Sequence, residues 1–221
     1  PIEEVTAQFQ AEDDFGVRTF ELRYSVNGGP EKSVTLGAPG RRQSDASHTF
    51  FLENFSLVPG DIVSYYVLAR DAKNEAKSDI FFIEVQPFER EFSQSQAGGG
   101  GGGEGEGEEN QISRRQKEIV AATWNLARER NLDKTKAAEL AKALSGIQST
   151  LQAQAKTLAE RMKRRELAGA NNDFKSFVEN MEKAAEAMAP AADRLSSQKW
   201  TEALTPEQKA LQHLLRAESI F

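Results

Sequence analysis

The sequence predicts a two-part protein, a β-sandwich joined by a Gly/Glu-rich linker to an elongated set of helices, and three observations carry that prediction. Through residue 92, short β-rich runs alternate with turn signals at intervals of roughly 8 to 12 residues. The next stretch, "SQSQAGGGGGGEGEGEENQ", holds eight of the 16 glycines and four glutamates. After it glycine nearly vanishes and Ala, Leu, Glu, Lys, Arg and Gln dominate, a strongly helix-forming mixture. The predicted division is 1–92 for the sandwich, 93–111 for the linker and 112–221 for about four helices.

Each strand has its own signal. "VTAQFQA" puts Val5, Ala7, Phe9 and Ala11 on one face, and "VRTFELRYSV" does the same with Phe20, Leu22, Tyr24 and Val26. The latter ends in "NGG", where Asn27 and Gly28 suit the positive φ of a hairpin turn. "KSVTL", "HTFFLENF", "DIVSYYVLARD" and "DIFFIEV" follow, separated by "GAPGRRQSD", "VPG" and "AKNEAK". That makes six strands.

The order of these pieces resembles an immunoglobulin-like or fibronectin type III domain read as strands B, C, C′, E, F and G. Its most specific part is Tyr65-x-Val67-x-Ala69-x-Asp71 after "VPGD". The resemblance implies a seven-stranded domain whose first strand lies before Pro1. The inter-sheet disulfide and its tryptophan are absent, which leaves the wider sandwich class, whose members mostly bind proteins or act as spacers. In that topology the loops 12–16 and 71–79 emerge at one pole, bringing together Glu12, Asp13, Asp14, Asp71, Asn74 and Asp79. Six oxygen-bearing side chains are what Ca²⁺ requires, and calcium is the one cofactor implied. Local turn chemistry accounts for the same residues, with Lys73 and Lys77 opposing a cation.

The linker cannot bury apolar surface and predicts a disordered tether that lets its two neighbours reorient. Charge divides along it: nine Lys/Arg against 16 Asp/Glu before residue 98, four Glu in 98–110, and 19 against 14 from 111 onward. An acidic front and a basic back can attract each other or a partner.

Apolar residues recur at helical spacing beyond it, with breaks at Asn131–Asp133 and Gly169–Asp173. Pro190 predicts a kink or an end, and "LTPEQ" predicts a start with Thr205 as cap and Gln208 closing a capping box. The seam Phe174, Phe177, Met181, Met188, Leu195 predicts a docking surface for other helices, of this chain or of a second copy. It is long enough to stay partly open, and Trp124 and Trp200 are read as seam anchors or interface hot spots.

Function classes narrow accordingly. No cysteine is present, which excludes thiol chemistry, and only His48 and His213 are available, too few for a histidine triad or multi-histidine metal site. No nucleotide, hydrolase or zinc motif occurs, and the basic run 161–166 lacks the interleaved aromatics of a nucleic-acid module. The expectation is a non-enzyme with no membrane span of its own.

"AEDDFGVRTFELRYSVNGG", "DIVSYYVLARDAKN" and "LTPEQKALQHLLRAES" together resemble an uncharacterised family of large bacterial inner-membrane proteins. Its members carry a sandwich domain and long helical stretches outside the membrane. The resemblance implies a periplasmic piece of a longer envelope protein and transfers no catalytic residue. Two readings stand: a structural and protein-interaction segment, or a module binding calcium or an envelope glycan on a helical stalk.

Overall fold

The computed structural model describes residues 4–37, 40–87, 108–166 and 172–220. Among them the strands are β1 (Glu4–Val17), β2 (Thr19–Val26), β3 (Lys32–Thr35), β4 (Arg41–Phe51), β5 (Ile62–Arg70), β6 (Glu75–Lys77) and β7 (Phe81–Glu84). The helices are α1 (Glu108–Arg128), α2 (Lys134–Glu166), α3 (Asn172–Ser196) and α4 (Trp200–Glu218). The chain is therefore of a mixed β-plus-α class, with two antiparallel sheets and four helices.

One sheet is the β1–β4 ribbon; the other runs β3-β2-β5, with β6 and β7 lying end to end along the far edge of β5. Leu22 and Val63 of the larger sheet meet Phe50 of the ribbon in a core that also gathers Val5, Ala7 and Phe9. The predicted hairpin is present, with Asn27 and Gly28 at φ 54° and 65°. Seven strands form where six were predicted, because "AKNEAK" contributes β6. The predicted loop 12–16 is the irregular end of β1, where register breaks between Glu12 and Val17 around Gly16 at φ 92°.

The helices share one core. Ile112 and Ile119 of α1, Leu151 and Leu158 of α2, and Met181 and Met188 of α3 meet Ala203 and Leu214 of α4 there. Asp133 caps α2, its Oδ1 accepting from the Thr135 and Lys136 amides at 2.9 and 3.1 Å. Two expectations are revised. α3 does not end at Pro190 but runs through it to Ser196, its buried stripe packed against α2 and α4. α4 starts at Trp200, not Thr205, so Pro206 lies inside the helix and Glu202 loses its amide partner there. The tether residues 93–107 and most of the 169–173 break lie outside the described residues, and α1 already begins at Glu108.

Candidate functional site

β5 is apolar on both faces, the mark of a strand covered on both sides. Val63 faces the ribbon, whereas Ile62, Ser64, Tyr66 and Leu68 face α1 and α4. Tyr66 lies against Trp124 with ring centroids 4.3 Å apart, and Ile62 packs on Leu211 and Leu215. The sheet and the helices therefore meet across a built junction.

Polar groups fix the register of that junction. The Ser64 hydroxyl donates to Gln208 Oε1 at 2.7 Å, and the Trp124 indole donates to the Ser78 carbonyl at 2.9 Å. Asp61, only 4% exposed, accepts from the Val58 amide at 3.0 Å, Gln212 Nε2 at 3.1 Å and Arg216 Nη2 at 2.7 Å. Burial alone would raise its carboxyl; the Val58, Gln212 and Arg216 donors outweigh it and hold the group below the usual range.

Among the described residues three ion pairs cross the junction, Arg216–Asp61, Lys117–Glu84 and Arg128–Asp79, each with the cation on a helix and the carboxylate on the β side. The charge split in the sequence is thus matched across the contact. Two turn glycines let α4 approach. A Cβ at Gly28 would meet the Thr205 carbonyl at 2.8 Å, and one at Gly60 would meet Arg216 Cα at 2.4 Å.

Beside this contact is a cavity of about 380 Å³ lined by Tyr24, Tyr66, Trp124, Leu204 and Gln208, with Glu31, Lys77 and Arg128. Its charges already have partners. Glu31 accepts from Arg23 at 2.9 Å and from the Tyr66 hydroxyl at 2.8 Å, Arg128 pairs with Asp79, and Lys77 Nζ is 3.6 Å from Glu75. Burial, reinforced by Glu31, pushes the Tyr66 phenol well above its ordinary range.

The candidate calcium residues come from the end of β1 and from the turns after β5 and β6. Glu12, Asp13 and Asp14 lie in the irregular end of β1. Asp71 closes its own turn, accepting from the Lys73 amide at 2.7 Å, from the Asn74 amide, and from Asn74 Nδ2 at 3.3 Å. Asp79 turns to Arg128. Among the described residues no group of three or more His, Cys, Asp or Glu side chains is arranged to hold a metal ion.

The candidate interaction residues are mostly interior. Phe177, Met181, Met188 and Leu195 are fully buried, Phe174 and Trp200 are half-buried, and Trp124 is in the junction. The seam expected to stay partly open is closed by α2 and α4 of the same chain.

Sequence reading missed a buried polar layer across α1, α2 and α4. Gln116 and Gln148 exchange amide hydrogen bonds at 3.2 and 2.8 Å, and Gln116 Nε2 also donates to the Glu207 carbonyl at 3.2 Å. Thr123 donates to Glu207 Oε1 at 2.8 Å, while Glu207 Oε2 has no partner among the described residues. Burial pushes the Glu207 carboxyl up to about 8. The available signal was in "EQKALQHLL", whose apolar residues mark more than one face of α4. Comparison with protein-family models, with curated proteins and with solved structures gives no match to this chain.

Proposed function

We propose that this chain is a non-catalytic structural and protein-interaction segment of a larger, membrane-anchored bacterial envelope protein, placed on the extracytoplasmic side. The β part serves as the platform on which the helical part is seated, so that the two act as one rigid arm. The single observation that carries this reading is the seating of α4 on β5, with Asp61 held by Gln212 and Arg216 and with Gly28 and Gly60 admitting the helix backbone. A junction with this many specific donors fixes orientation, which a spacer needs and a tethered pair of free modules does not.

The strand order supports an immunoglobulin-like or fibronectin type III relationship, with β1 and β4 as B and E, and β2, β3 and β5 as C, C′ and F. The split strand G is β6 with β7. Such domains commonly space or bind proteins. Among the described residues no helix is long and apolar enough to cross a membrane, which agrees with an arm attached through another part of the parent protein.

Calorimetry of the whole chain tests this reading. One transition is expected, and Asp61→Ala should lower it by roughly 10 °C for helical and aromatic signals together, because a buried ion pair loses one member. Two separated transitions in the unsubstituted chain would overturn the rigid-arm reading.

A further inference from the structure

The seam on α3 is closed, but one face of the helical part is not. α1 meets α2 more sparsely than it meets α4. A groove follows their outer seam as two adjoining depressions, of about 670 and 530 Å³, that share Arg115, Thr150 and Gln154. Ile112 and Leu151 form its apolar floor. Ile147, 49% exposed, stands in it and is the one exposed large hydrophobic residue of the described helical part.

Gly146 lies in the same groove. It sits inside α2, where glycine costs about 1 kcal/mol relative to alanine, and a Cβ there would touch nothing within 4 Å. Nothing in the packing of the described residues requires that glycine. It keeps the α2 backbone open to close approach from outside, beside an apolar residue left in water.

The rim decides the sign of the occupant. Arg115, Lys142 and Arg161 line the groove against the single carboxylate of Glu139. Among the described residues neither Arg115 nor Lys142 has an ion-pair partner. From Glu139 to Arg161 the groove follows α2 for about 33 Å at 1.5 Å per residue.

We propose that the α1–α2 groove docks an amphipathic helix of a partner protein, its apolar stripe on Ile112, Ile147 and Leu151 and its acidic flanks on Arg115 and Lys142. This rests on the interaction-segment reading above and names the face and the partner chemistry. A helix is the element that fits. Helix walls offer no unpaired backbone for strand addition, and no aromatic residue lines the groove to seat a polyproline segment or a nucleic-acid base. A second copy docking by the same face about a two-fold axis would set cations against cations.

The test uses two labelled helical peptides of roughly 20 residues, about 30 Å long, with the same Leu/Ile stripe and either Glu or Lys flanks, read by fluorescence anisotropy on the full chain. The Glu-flanked peptide should bind about tenfold tighter or better, an advantage that shrinks in about 0.5 M salt. Gly146→Leu, which fills the groove while favouring the helix, should weaken that binding about tenfold or more without lowering the melting temperature. Equal binding of both peptides, or an affinity that Gly146→Leu leaves unchanged, overturns the proposal. So does self-association of the free chain that Gly146→Leu abolishes, which assigns the groove to a second copy. Any of these results in a chain that still melts as one unit removes the groove alone, whereas independent melting of the two parts removes the reading beneath it.

Discussion

α4 and α2 are built from similar residues and end in opposite situations. α4, 19 residues long, is enclosed by the sheet on one side and by α1 and α3 on the others, and eleven of its residues are buried. α2, at 33 residues, buries one stripe through Ala137, Ala141, Leu144, Gln148, Leu151, Ala155 and Leu158, and leaves Lys142, Gly146 and Thr150 in solvent. Polar groups differ in the same way. On α4, Glu207, Gln208 and Gln212 are buried, and each is placed by a partner from another element. On α2 Gln148 and Gln152 reach another helix in this way, whereas the hydroxyls of Ser145, Ser149, Thr150 and Thr157 bond back to their own helix, as Thr150 does to the Gly146 carbonyl at 2.9 Å. The enclosed helix fixes the architecture, and the open one has a face to offer.

The largest effect expected from breaking this contrast is at Gly60. The residue has φ 87°, and a Cβ would overlap the α4 backbone at Arg216. Gly60→Val should cost at least about 3 kcal/mol, by backbone strain and by forcing α4 off the sheet. Gly40 is the control, at φ 95° with nothing within 4 Å; Gly40→Ala should cost only about 1 kcal/mol of strain. Urea denaturation of the two variants measures the difference. Equal losses would mean that the close approach to α4 carries no energy.

Much of this was legible beforehand, and the limits have physical causes. Period-two alternation found the strands, and Asn27-Gly28 found the hairpin, because both signals are local. Capping chemistry misplaced the start of α4: Thr205 and Pro206 look like a first turn, but Trp200–Leu204 is itself helix-forming and is buried at Ala203 and Leu204. The junction was out of reach, because Asp61 and Arg216 are 155 residues apart and neither signals the other. The acidic pole holds no metal-binding group among the described residues, and two of its members have other partners. Asp71 is satisfied by amides two and three residues away, and Asp79 by a helix the local pattern does not place. The open groove depends on how sparsely α1 meets α2, which no single-helix pattern records.

A second prediction concerns the enclosed helix and pH. Folding moves Glu207 from 4.5 to about 8, so between those values the native state holds a proton that the unfolded chain has released, and stability falls as pH rises. His213 acts in the opposite sense. Burial, with Arg216 and Lys183 adding to it, lowers the imidazole from 6.5 to about 4, so stability falls as pH drops through that interval. The two contributions oppose each other between 4.5 and 6.5, which leaves a net loss from 6.5 to about 8. The urea midpoint should decline across that upper window in the unsubstituted chain and stay level in Glu207→Gln. Matching declines in both would place the effect elsewhere.

The smallest expected effect tests the open helix, and its sign matters more than its size. Gly146 is not among the positive-φ glycines, and a Cβ there would meet nothing within 4 Å, so alanine fits there without strain. If α2 owes nothing to this glycine for its own stability, Gly146→Ala should stabilise the chain by about 0.5–1 kcal/mol. That raises the melting temperature by roughly 2 °C for a protein of this size. A loss of stability would mean that the glycine serves the internal packing of α2 against α1, and the groove would then be a by-product of the fold. A gain separates the two requirements: the fold would prefer alanine, and the glycine would be kept for what approaches α2 from outside.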